Sequence, residues 1–162
     1  MGDPPGWHFT DTSIIELASR CARLRLLELH SDHITDASII ALARNCSDLH
    51  EIRLQCPMTD AGLIVLGLGC PLVQSLELEA PRVTDAGIGA LSGLRYLYLK
   101  YNDRVTLAGI TELIRHSPSL DYLHTLRCGH LESDHAKARI NDLMDSNRNK
   151  QLGLAEVITT TS

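Results

Sequence analysis

The chain has 162 residues, a formal net charge of −5 and 44% hydrophobic residues, enough for one domain with a real core and too apolar for a disordered chain. Aromatics are only 4%, so the core has to be filled by Leu, Ile, Val and Ala. The acidic balance argues against nonspecific attraction to nucleic acid or to an anionic membrane, and no apolar run reaches the roughly 20 residues that span a bilayer.

The start, Met1-Gly2-Asp3-Pro4-Pro5-Gly6, has neither the basic-then-apolar order of a secretory signal nor the Arg-rich character of a transit peptide. Gly6 stands where a myristoylation pattern wants Ser or Thr. Five cysteines on such a chain read as reduced thiols, and the expected location is cytoplasmic or nuclear. The sequon Asn45-Cys46-Ser47 is then expected to be silent.

From residue 10 onward the sequence repeats itself. Thr-Asp recurs at Thr10-Asp11, Thr35-Asp36, Thr59-Asp60 and Thr84-Asp85, with Thr106-Leu107 as a degenerate fifth copy. Successive threonines are 25, 24, 25 and 22 residues apart. Each Thr is a good helix N-cap, and the Asp places a carboxylate at the positive end of the helix that follows. In that helix Ile14, Leu17, Ala18 and Cys21 fall at i, i+3, i+4 and i+7, the spacing of one apolar face. The same face reads Ile39, Leu42, Ala43, Cys46, then Leu63, Leu66, Gly67, Cys70, then Ile110, Leu113, Ile114, Ser117.

A strand follows each helix, carried by L-x-x-L-x-L: Leu24, Leu27, Leu29, then Leu49, Ile52, Leu54, then Val73, Leu76, Leu78, then Leu94, Leu97, Leu99. The fourth copy is four residues shorter between Thr and strand, and the fifth breaks at Thr125 after Leu120 and Leu123. Alternation is the strand period, so these leucines point inward and the residues between them point out. Strands stack about 4.8 Å apart and helices about 8–10 Å apart, so the strands belong on the inside of an arc.

The expected fold is therefore α/β, a right-handed solenoid forming a short horseshoe arc with a parallel concave sheet and convex helices. One domain covers residues 1–162: an N-terminal cap at 1–9 with Trp7 and Phe9 over the open core, five repeats at 10–127, a C-terminal cap at 128–158 and a tail at 159–162. In the last cap Ser133-Asp134 starts a helix carrying Ile140, Leu143 and Met144. After the polar stretch 147–150, the segment 152–158 adds a strand or packs on the cap.

The pattern C-x-x-L-x-x-L-x-L followed by I/V/M-T-D-A-G/S-L/I resembles the cysteine-containing leucine-rich repeats, over about residues 9–127. These repeats occur in F-box/LRR proteins and in small relatives of the yeast antagonist of mitotic exit. The resemblance implies a protein-interaction module, an adaptor or substrate-receptor-like regulator related to ubiquitin ligases. Too little chain stands ahead of the first repeat for an F-box, so recruitment of a ligase by that route is not expected. The alternative within the same fold is a structural assembly factor of an organellar complex, against which the missing transit peptide counts.

No residue pattern points to catalysis, a cofactor or a metal. The column Cys21, Cys46, Cys70 reads as small buried thiols. His124, Cys128, His130 and His135 match no zinc spacing, and the glycines Gly87, Gly89 and Gly93 follow a Thr-Asp turn instead of a strand. No G-x-S-x-G or H-E-x-x-H occurs. The informative surface is the outward face of the sheet, read in three columns: Leu26, Glu51, Ser75, Tyr96, Tyr122; Glu28, Arg53, Glu77, Tyr98, His124; and His30, Gln55, Glu79, Lys100, Leu126.

Tyr96, Tyr98 and Tyr122, with His124, Lys100 and Arg53, are the expected contact residues for a protein partner, since clustered Tyr is enriched at binding hot spots. Glu77 and Glu79 are expected to steer a basic partner. The loop Asn102-Asp103-Arg104 is expected to extend the contact. Outside its complex the chain is expected to be a monomer.

Overall fold

The computed structural model describes residues 9–151, with side chains through residue 148. Helix and strand alternate along the whole of it: α1 Asp11–Arg20, β1 Leu26–His30, α2 Asp36–Asn45, β2 Glu51–Gln55, α3 Asp60–Gly69, β3 Ser75–Glu79, α4 Asp85–Gly89, β4 Tyr96–Lys100, α5 Leu107–His116, β5 Tyr122–Leu126 and α6 Asp134–Gln151. A short 3-10 turn at Gly129–Leu131 separates β5 from α6. The five strands form one parallel sheet in sequence order, and each helix packs on the next. A parallel neighbour cannot be reached by a hairpin, and here each crossover is a helix.

The ladder registers align Ile52 with Leu27, Leu76 with Ile52, Leu97 with Leu76 and Leu123 with Leu97. The inward residues Leu27, Leu29, Ile52, Leu54, Leu76, Leu78, Leu97 and Leu99 are buried and join the inner faces of the helices in one aliphatic core. The fourth unit loses its missing residues from the helix alone. There α4 has 5 residues where α1, α2, α3 and α5 have 10, and β4 keeps its full length.

The aspartates do more than face their own helices. Asp11 accepts from the backbone N–H of Thr35 at 2.9 Å and from its Oγ1 at 2.7 Å, one unit further on. Asp36 does the same to Thr59, Asp60 to Thr84 and Asp85 to Thr106. Each of those threonines in turn caps its helix by accepting from the N–H two residues on. The Thr-Asp pair is thus a latch between neighbours, with both carboxylate oxygens used. Leu107, which replaces the fifth Asp, is where the series stops.

The latch explains the glycines at the fourth place of T-D-A-G. A side chain on Gly62, Gly87 or Gly109 would run into the carboxylate of Asp36, Asp60 or Asp85 of the preceding unit. Ser38 occupies the same place in the second unit. It turns the approach into a bond, donating from Oγ to Asp11 Oδ1 at 2.6 Å.

The cysteine column is a second ladder, a role its apolar reading overlooked. Cys46 Sγ donates to the carbonyl of Cys21 and Cys70 Sγ to that of Cys46, each at 3.4 Å. Ser117 Oγ donates to the Leu91 carbonyl, and Asn147 Nδ2 to the carbonyls of Ser117 and Pro118. The position calls for a small donor, and Cys, Ser and Asn all supply one. Helix ends leave carbonyls without partners in their own helix, and these donors meet them.

The ends can be placed only in part. Phe9 is 58% exposed, while Trp7 lies outside the described residues. The helix of the C-terminal cap, α6, runs through the polar stretch from Asn147 to Gln151, with Ile140, Met144 and Asn147 buried. Asn147 is tolerated inside because its amide is bonded as above. The expectations for 152–158 and for the tail lie outside the described residues.

Candidate functional site

The expected contact residues do come together on the face of the sheet turned away from the helices. Register places Tyr96 beside Ser75 and Tyr122, Tyr98 beside Glu77 and His124, and Lys100 beside Leu126. The rings of Tyr98 and Tyr122 are 5.3 Å apart at 41°, and His124 stands edge-on to Tyr98 at 6.1 Å. The Arg95 guanidinium lies 5.7 Å over the Tyr96 ring and is fixed by Asp121, to which Nη2 donates at 2.6 Å. The hydrogen bonds to Asp121, and then its charge, raise the pKa of Arg95 above its ordinary value. Aromatic pairs in tilted or edge-on geometry hold one another in place. The result is a rigid apolar patch at one end of the sheet, with Tyr96 38% and Tyr122 42% exposed.

The other half of the face is charged and largely self-paired. Arg53 lies between three carboxylates, at 2.8 Å from Glu51, 3.6 Å from Glu28 and 4.0 Å from Glu77. Lys100 bonds to the other oxygen of Glu77. Glu77 is therefore held between two cations across three strands, and its expected role as a steering charge is not what this arrangement offers. Glu79 accepts from Gln55 Nε2 at 3.1 Å, and no ion pair to it is seen among the described residues. The sequence columns locate these residues correctly. Which charges cancel depends on side-chain reach across neighbours, and the columns do not carry that.

The loop after β4 departs from expectation in one residue. Asn102 is fully buried: its Nδ2 donates to the carbonyls of Ala80 and Val83, and its Oδ1 accepts from the N–H groups of Arg104 and Val105. It ties two successive loops together and cannot meet a partner. Asp103 and Arg104 are exposed, and Asp103 accepts from the Gly129 N–H at 2.8 Å. Just before it Tyr101 has φ 50°, and Arg127, one unit on, has φ 52°. That left-handed conformation is costly for residues with a side chain. The Arg127 guanidinium sits 5.5 Å over the Tyr101 ring, so the two strained turns are braced against each other. This exposed aromatic–cation pair extends the patch past the ends of the strands.

Among the described residues no group of three His, Cys, Asp or Glu is placed to hold a metal ion. Cys128, one of the four ligand-type residues noted above, is buried with its thiol toward the Leu99 carbonyl. No helix among the described residues is long and apolar enough to cross a membrane.

No family model matches the sequence, and no curated protein does. Among solved structures, one similar chain is described as Leiomodin-1 Actin-Binding Site 2 (ABS2). The likeness covers 90% of this chain and 78% of that one, at 13% identity and a TM-score of 0.49.

Proposed function

We propose that the chain is a cysteine-containing leucine-rich-repeat solenoid, a right-handed arc that works as a protein-interaction module and not as an enzyme. Its concave sheet face binds a protein partner, in the manner of an adaptor or substrate-receptor-like regulator of the cytoplasm or nucleus. The observation that carries this reading is the aromatic patch on the sheet face, in which Tyr98, Tyr122 and His124 are preorganised by ring–ring contact and Tyr96 lies under the Arg95 guanidinium. Rigid amphipathic rings can be desolvated at little entropy cost, which is why they dominate interface energies.

Fifteen outward positions are fewer than the roughly 20–30 residues a side of a standard interface, so the partner also engages Tyr101 and Arg127 beyond the strands. Affinity capture followed by titration of the purified partner tests the reading. Tyr98→Ala weakens binding by about 1–2 kcal/mol, some 5- to 30-fold, whereas Glu28→Ala at the far end leaves it nearly unchanged. Equal effects of the two, or full affinity in a Tyr96→Ala/Tyr98→Ala/Tyr122→Ala variant, remove the concave face from consideration.

A further inference from the structure

Charge is distributed unevenly over the outward face of the sheet. Among the outward positions, Glu28, Glu51, Glu77 and Glu79 carry carboxylates, all of them on β1 to β3. Arg53 and Lys100 carry cations, so four negative charges stand against two positive ones when the histidines are neutral, an excess of two. β4 and β5 add no carboxylate to the face: they present Tyr96, Tyr98 and Lys100, then Tyr122, His124 and Leu126. One end of the face is thus acidic and the other aromatic.

The excess is sharpest at one residue. Arg53 is shared by Glu28, Glu51 and Glu77, and Glu77 takes Lys100 as well. Lys100 stands one residue past the Leu78–Leu99 pair, level with Glu79, yet its ammonium goes to Glu77. Glu79 is left with a neutral donor, the amide of Gln55. A carboxylate has room for about four hydrogen bonds, so this one keeps its full charge and most of its acceptor capacity. At the aromatic end Tyr98, Tyr122 and His124 are in ring contact, and Leu126 beside them is 39% exposed. Strands lie about 4.8 Å apart and residues about 3.3 Å apart along them, so two strands and two residues put Glu79 about 12 Å from His124. An extended segment covers that span in four residues, and its residues i and i+4 present their side chains to the same side.

We propose that the segment this face takes from its protein partner is basic–apolar: Lys or Arg on Glu79 and, about 12 Å further on, an aromatic or large aliphatic side chain on Tyr98, Tyr122 and His124. This partner class rests on the reading of the sheet face as the binding surface, and adds to it the chemistry that meets each end. The partner's cation pairs the carboxylate that has none and reduces the excess charge of the face. Its apolar side chain is desolvated against rings already fixed by one another. An acidic segment is repelled by the same excess, and a purely apolar one leaves Glu79 covered without a cation, which is costly.

Selection of a random 12-residue displayed peptide library on the full chain, followed by titration of the recovered peptides, tests this. The recovered sequences pair Lys or Arg with Trp, Tyr, Phe or Leu four residues away. Glu79→Gln weakens their binding about two- to fivefold, the range of a partly exposed ion pair. Glu79→Arg abolishes it, and changing the peptide's basic residue to Glu restores binding to that variant. Recovered peptides without a basic residue, a charge exchange that restores nothing, or a library that yields no binder overturns the proposal. Peptides that lose affinity with Tyr98→Ala but are indifferent to Glu79→Gln overturn it too, and leave the sheet face standing as the binding surface. Peptides indifferent to Tyr98→Ala overturn both.

Discussion

Asp11 shows how much one carboxylate can hold. Partial burial acts to raise its pKa, but the hydrogen bonds from Ser38 and Thr35 outweigh this and leave it below the ordinary value of 3.8. A group whose pKa is lower folded than unfolded contributes stability above the unfolded value and loses it as pH falls through the folded one. The latch at Asp11 is therefore intact at neutral pH, begins to weaken as pH falls to the unfolded value of about 4, and is lost only below the lower folded value. In urea melts at pH 7 and pH 3, Asp11→Asn lowers the midpoint at both, and by less at pH 3. An equal penalty at both means that packing, and not charge, carries the effect.

The thiols are graded by the same reasoning. Burial raises Cys56 and Cys70 to about 11, and raises Cys46 and Cys128 as well. Since the thiolate is the reactive form, about one part in a thousand of Cys56 or Cys70 is available at pH 8. Native alkylation followed by peptide mapping finds label first at Cys21, the half-exposed one, and at all five once the chain is denatured. Early labelling of Cys70 contradicts the buried ladder.

At the scale of elements, the sequence made the strands and their outward columns legible, because period-2 alternation and an anchored Thr fix both face and register. It did not show where each Asp points. The carboxylate's partner sits 21 to 24 residues away on a neighbouring unit, which becomes a contact only when units stack. Nor did it show that α6 continues past Asn147. A polar residue there reads as a helix end until the carbonyls it satisfies are in place.

Close approach of helices has the same character. A Cβ on Gly69 would collide with the backbone carbonyl of Ala43, so α3 and α2 are as near as they are because Gly69 has none. In an unconstrained helix Gly→Ala stabilises by roughly 0.5–1 kcal/mol. Here Gly69→Ala destabilises by about 1–3 kcal/mol, through forced separation of the helices, measured by chemical denaturation. A gain in stability shows that the helices can slide apart freely.

For the whole molecule, nearest-neighbour coupling replaces a single central core. Leu76 is 1% exposed and lies in the middle strand, between Ile52 and Leu97. Leu76→Ala costs about 2–5 kcal/mol. Both latches and strand bonds cross that unit, so calorimetry shows one transition at a lower temperature, with the van't Hoff and calorimetric enthalpies still equal. Splitting into two transitions means that the halves fold independently. The candidate site was legible in outline for the same one-dimensional reason, since columns of a stack can be read off a list of strands. The pairing of Glu77 with Arg53 and Lys100 was not, because it spans three units and is settled by side-chain reach.

The short helix α4 has a mechanical consequence. A beam bends where its cross-section is least, and the fourth unit keeps a full strand over half the helical backing of the others. Tyr96 and Tyr98 are mounted on that strand. A load on β4 therefore meets half the helical backing, and the stiffness of that unit comes from its ladders to β3 and β5 on either side.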